Sequence, residues 1–234
     1  MITKRTFILV LFIIGLFNNS NGQEKYITES STHIFWQSDR QLTKSDFKGD
    51  GSHNPRFIKY CDELDLCTSA FVGVFAVLDI PKKKRKRGEL IEKAYFAPAF
   101  EKNTSYILKN DTTGIKKQQV IFDIYEISTR FARQQLAHFQ DSIPGYGITT
   151  IMFKTVESKA LEMRTYLIDS YTKDVYIDKT EGAYKAWRAR IDKMLSDSKE
   201  YATRPEDCYR FVKNEPIEKG YIKAKYIVGN LNNK

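Results

Sequence analysis

Two kinds of hydrophobic pattern divide the chain. From Gln23 to about Phe100, apolar residues come in short runs separated by turn-forming stretches; from about Ile115 they recur at helical spacing. Thr68 to Ile80 is rich in Val, Phe and Ala and predicts a long strand buried on at least one face, with Leu90 to Phe96 as its expected partner. Between them Pro81-Lys82-Lys83-Lys84-Arg85-Lys86-Arg87-Gly88 reads as a hairpin loop. Ile34-Phe35-Trp36 is a short apolar piece, and Gly49 to Pro55 has the composition of a loop. On a helical wheel Ile121, Ile124, Ile127, Phe131, Ala132, Leu136 and Phe139 share one broad face, with Asp123, Glu126, Arg130, Arg133 and Gln134 opposite. That pattern predicts an amphipathic helix ending before Pro144-Gly145. Ile148, Met152, Val156, Ala160, Met163, Leu167 and Tyr171 mark a second helix, and Tyr184, Trp187, Ile191 and Leu195 a third. After Pro205 the chain is polar until Tyr221 to Val228, which alternates apolar with Lys as an edge strand would. The expected fold is therefore α+β, an N-terminal antiparallel sheet followed by three main helices.

The first residues bear on compartment. Lys4 and Arg5 precede an apolar run from Phe7 to Phe17 and then Asn18-Asn19-Ser20-Asn21-Gly22, the charge, apolar and small-polar order of a secretory signal peptide. The run is shorter than the ~20 residues that a spanning helix needs. Residues 1–22 are read as a signal peptide, 23–200 as one secreted or periplasmic domain, and 201–234 as a C-terminal extension carrying the edge strand. No other segment is apolar enough to span a membrane. Removing Lys4 and Arg5 lowers the formal charge from +9 to +7. Outside the cytoplasm a basic surface favours anionic glycans, lipid headgroups or acidic proteins over nucleic acid.

Six consecutive cations cannot share a buried site, so Lys82, Lys83, Lys84, Arg85, Lys86 and Arg87 are expected at the surface, either as a solvated hairpin tip or as a contact for a cell-surface polyanion. The three cysteines, Cys61, Cys67 and Cys208, are too few for a disulfide scaffold, and Cys61 with Cys67 is the pair closest in sequence. The histidines, His33, His53 and His138, lie far apart and carry no ligand spacing.

Leu42-Thr43-Lys44-Ser45-Asp46-Phe47-Lys48-Gly49, Phe122-Asp123-Ile124-Tyr125-Glu126 with Arg130, and Lys179-Thr180-Glu181-Gly182 followed by Trp187, Ile191 and Leu195 occur in an order resembling one family, the predicted secreted zinc-dependent proteases known as domain of unknown function 922. That family carries Leu-Thr-Trp-x-Asp-Phe-x-Gly, then a zincin-like helix with His-Glu-Gln-x-His-Phe-Asp-Ile-x-Glu, then Glu-Thr-x-His-Gly before a Trp-containing helix. The resemblance covers roughly Ile34 to Leu195, with Lys44 in place of the tryptophan.

The departures fall on the metal. A zinc helix presents two histidines four residues apart with a glutamate beside the first as general base. The matching positions hold Lys117, Ile121 and, for the base, Gln118. A lysine ammonium repels a divalent ion, isoleucine has no donor atom, and an amide cannot take a proton from an attacking water. The position of a third ligand holds Glu181. The resemblance thus implies a degenerate, non-catalytic relative with no catalytic residue, metal or cofactor. Its alternatives are a hydrolase with a non-standard site built from Glu181, Asp123, Glu126 or a histidine, and a basic envelope protein that binds anionic surface polymers.

Overall fold

The computed structural model describes residues 26–109 and 112–225; the expected signal peptide and the end of the expected C-terminal strand lie outside them. Among the described residues there are four strands and five helices, an α+β arrangement. In chain order they are β1 (His33–Phe35), α1 (Pro55–Leu64), β2 (Thr68–Pro81), β3 (Lys93–Ile107), α2 (Thr112–Ser142), α3 (Ile148–Thr172), α4 (Ala183–Asp197), α5 (Pro205–Lys213) and β4 (Tyr221–Lys223). The sheet is antiparallel in the order β1-β3-β2-β4. None of the described helices is long and apolar enough to cross a membrane.

Side chains alternate across a strand, and here the alternation feeds two cores. Leu78 and Phe96 face α2 and α3, packing with Ala132, Leu136, Phe153 and Val156. Ala97 and Ala99 face the other way, against Phe35 of β1 and Cys208 of α5. A third cluster, with Ile124, Leu167, Tyr171, Trp187 and Ile191, fixes α3 and α4 on the far side of α2.

The long strand and the three long helices lie where the pattern of apolar positions puts them. β3 runs well past Phe96, to Ile107. Two helices stand in stretches expected to be irregular, and each begins with proline at its first turn. In α1, Asn54 accepts from the Arg56 amide at 3.1 Å and Pro55 follows. In α5, Pro205 opens the helix and Asp207 accepts from the Arg204 amide at 3.2 Å. Proline lacks the amide hydrogen that the first turn leaves unpaired, so it starts a helix as readily as it breaks one.

The segment after residue 200, expected to form an extension, packs into the domain. Thr203 bonds Glu126 of α2, and Arg210 of α5 forms a bidentate pair with Asp79 of β2 at 2.7 and 2.8 Å. β4 pairs with the end of β2, Ile222 opposite Ile80. Cys61 and Cys67 are joined by a disulfide across the turn from α1 into β2.

The polar side of the α2 wheel turns out to be largely buried. Asp123, Glu126 and Arg130 are buried, and Arg133 largely so. Glu126 accepts from Arg130 Nε at 2.7 Å, the Thr203 amide at 2.8 Å and Thr203 Oγ1 at 2.5 Å. Arg133 donates to the carbonyls of Phe96 and Tyr201. Periodicity separates polar from apolar positions, but it does not reveal that distant segments supply partners for the polar ones. From Gln118 to Arg130 α2 is largely covered, while Gln134 and His138 nearer its end stay exposed.

The Asp79–Arg210 pair is nearly inaccessible to solvent at both ends. Asp79→Ala leaves a buried guanidinium unpaired and is expected to cost about 3–5 kcal/mol in urea unfolding. A loss under about 1 kcal/mol would show that α5 is not held by this pair.

Candidate functional site

The site is built around the N-terminal half of α2. Leu42-Thr43-Lys44-Ser45-Asp46-Phe47-Lys48-Gly49 forms a clasp beside it. The Leu42 amide donates to Gln119 Oε1 at 2.9 Å. Asp46 accepts from the Thr43 amide at 2.7 Å and from both terminal nitrogens of Arg40, at 2.6 and 3.1 Å. Phe47 sets its edge on Phe100. Gly49 lies so close to β3 that a Cβ would come within 2.6 Å of the Asn103 carbonyl oxygen, which requires glycine.

Each position that the resemblance sets against a metal ligand or base on α2 has a structural occupation. Gln118 is buried, accepting from the Ala70 amide at 3.0 Å and donating to Tyr176 Oη at 3.2 Å. Ile121 is half-buried against the apolar cluster of α3 and α4. Lys117 is half-buried, its ammonium 5.0 Å from the centre of the Tyr176 ring. Its carbonyl accepts from Tyr171 Oη at 3.0 Å, and burial holds that phenol above its ordinary pKa, as a neutral donor.

Lys117 also lines a cleft of about 430 Å³ between the end of α1 and the start of α4. Lys179, Thr180 and Gly182 lie across that cleft, so the structure brings Lys117 and the Lys179–Gly182 segment together. Glu181 is exposed and is not among the cleft residues; no ion pair joins it to Lys117 among the described residues. The turn is made possible by left-handed backbone at Lys179 (φ 50°) and Gly182 (φ 73°). α3 widens into a π turn at Lys173–Ile177 before it, which carries Val175 into the cleft and Tyr176 under Lys117.

A second cleft, of about 540 Å³, opens on the other side of α2 and includes Trp36, Asp123, Arg130, Arg188 and Asp192. Asp123 accepts from Trp36 Nε1 at 2.8 Å, Gln119 Nε2 at 2.9 Å and an Arg188 terminal nitrogen at 2.6 Å. The Arg130 guanidinium stacks over Trp36, 5.0 Å from the ring centre. Trp36 and Arg188 were not legible as partners of Asp123: they lie just after β1 and on α4, remote from it in sequence.

The remaining reactive side chains do not converge. Among the described residues no group of three His, Cys, Asp or Glu is placed to hold a metal ion. His33 contacts Thr32 Oγ1 through Nδ1, His53 lies 3.8 Å from Asp50 in a loop, and His138 is exposed on α2. Cys208 is fully buried, and burial pushes its thiol pKa up, away from the thiolate that a nucleophile requires. Lys82 to Lys86 are exposed on the hairpin tip, and Arg87 is half-buried. Comparison with family models, with curated proteins and with solved structures finds no match for the chain.

The clasp gives a pH prediction. Burial alone would raise the Asp46 pKa, but the donors on Arg40 and Thr43 outweigh it and hold the carboxyl below its ordinary 3.8. A depressed acid stabilises the fold above its unfolded value, and that contribution is lost as pH falls through the folded value. Stability measured from neutral pH downward is therefore expected to fall below pH 3.8 more steeply in the wild type than in Asp46→Asn. Equal slopes would mean the clasp does not draw on this carboxylate.

Proposed function

We propose that the protein is an exported, non-catalytic relative of the secreted zinc-dependent proteases, in which the former metal-binding region serves as scaffold and as the wall of a binding cleft. One observation carries the reading: Gln118, at the position of the general base, is buried between the Ala70 amide and Tyr176 Oη, and so is part of the packing between sheet and helices. Its neighbours fit the same picture. Ile121 contributes apolar contact, and Lys117 places a positive charge at the mouth of the cleft. The Cys61–Cys67 disulfide supports an oxidising compartment.

The hydrolase alternative has less support. Glu126 and Asp123 are each met by three or more donors, two of them in each case from other parts of the chain, so both carboxylates are engaged in holding the fold. Glu181 stands outside the cleft, and the histidines are dispersed.

The test is metal content and peptidase activity of protein purified without chelators. The expected outcome is substoichiometric zinc and no hydrolysis. One equivalent of zinc in the wild type would overturn the reading. Lys117→His with Ile121→His restores two imidazoles four apart on α2, and measurable zinc affinity in that variant would support the assigned ancestry.

A further inference from the structure

We propose that the end of the molecule formed by the β2–β3 hairpin and the α2–α3 turn is a docking surface for an anionic phospholipid bilayer. The structure brings these two connections together although about fifty residues separate them in sequence. Glu92, at the base of the hairpin, accepts from the Gly147 amide and from Thr150 Oγ1, both at 2.7 Å. Arg87 lies over the Tyr146 ring, 4.8 Å from its centre. The Leu90 amide donates to the Lys86 carbonyl at 2.8 Å, folding the hairpin's apolar arm back beside its basic tip.

The result is a surface of mixed chemistry. Lys82, Lys83, Lys84 and Arg85 are exposed, and no ion pair engages them among the described residues. Lys86 pairs with Glu89, the one exposed acid within the tip. Beside these cations three large apolar side chains face water: Leu90, Ile91 and Ile143, exposed by 36, 40 and 60%. Single exposed apolar residues need no explanation. Leu90 and Ile91 on the same hairpin as an unpaired basic cluster, with Ile143 on the connection that Glu92 and Arg87 tie to that hairpin, match the two layers of a bilayer face, anionic headgroups over an apolar interior. A soluble polyanion would use the cations alone, whereas a bilayer uses both. The charge complementarity and the adjoining apolar side chains therefore favour the lipid surface. This surface lies apart from the cleft at Lys117 and stands or falls independently of the reading given to that cleft.

The experiment uses protein beginning at Gln23, which retains every described element, with vesicles of phosphatidylcholine with and without phosphatidylglycerol. Co-sedimentation is expected only with the anionic vesicles, weakening as salt is raised. Replacing Lys83, Lys84 and Arg85 by Gln is expected to lower vesicle affinity about fivefold per charge, near a hundredfold together. Ile143→Asn leaves the charge unchanged and is expected to weaken vesicle binding about tenfold, while leaving binding to heparin unaltered. Unchanged vesicle affinity in the triple variant would overturn the proposal. Equal vesicle binding by wild type and Ile143→Asn would also overturn it, in favour of a charge-only contact with a soluble polyanion.

Discussion

A carboxylate taken out of water costs several kcal/mol unless donors replace its hydration, and α2 buries two of them, Asp123 and Glu126. Their donors come from parts of the chain that periodicity alone would not join. Trp36 arrives from the segment after β1, Arg188 from α4 and Thr203 from the link into α5. Meeting these demands draws the N-terminal strand, the last long helix and the C-terminal segment onto one helix. The apolar clusters then fill the space between them. Because an incompletely paired buried carboxylate is costly, the network also specifies this arrangement against alternatives with the same hydrophobic pattern.

The same principle explains the character of the cleft at Lys117. A metal site needs ligand atoms that are free, convergent and deprotonated. The amide of Gln118 instead spans sheet and helix, and Ile121 gives its surface to the cluster around Leu167, Tyr171 and Trp187. What remains open to solvent is a pocket lined by Lys117, Lys179 and Lys185 with one acid, Asp65, a net positive setting that favours anions over divalent cations. Stability at this point comes from packing and neutral hydrogen bonds between protein groups.

Much of the fold was legible because long elements carry strong periods. The Val- and Phe-rich run at Thr68–Ile80 and the Ile/Leu stripe from Ile121 to Phe139 can each be satisfied in few ways. The misses have definite causes. α1 and α5 begin with Asn54-Pro55 and Arg204-Pro205, in stretches read as loop or as polar chain, although proline at the first turn can open a helix. Periodicity set the polar positions of α2 opposite its apolar face and could not show their partners, which are remote in sequence. At the site, the reading of Lys117 and Gln118 as departures from a ligand pattern rests on the resemblance alone. Their present contacts were not legible, since Ala70 and Tyr176 reach Gln118 only after the sheet and the π turn have formed. The meeting of the hairpin with the α2–α3 connection likewise exists only in three dimensions, through Glu92 with Gly147 and Arg87 with Tyr146.

The central claim is that the region around Lys117, Gln118 and Ile121 holds the fold together through its own side chains. Thermal unfolding in the presence of a strong chelator, compared with added zinc, tests it directly. A ligand that binds the folded state raises the melting temperature, and its removal lowers it. The account predicts the same melting temperature in both conditions; a clear drop with chelator, reversed by zinc, would contradict it.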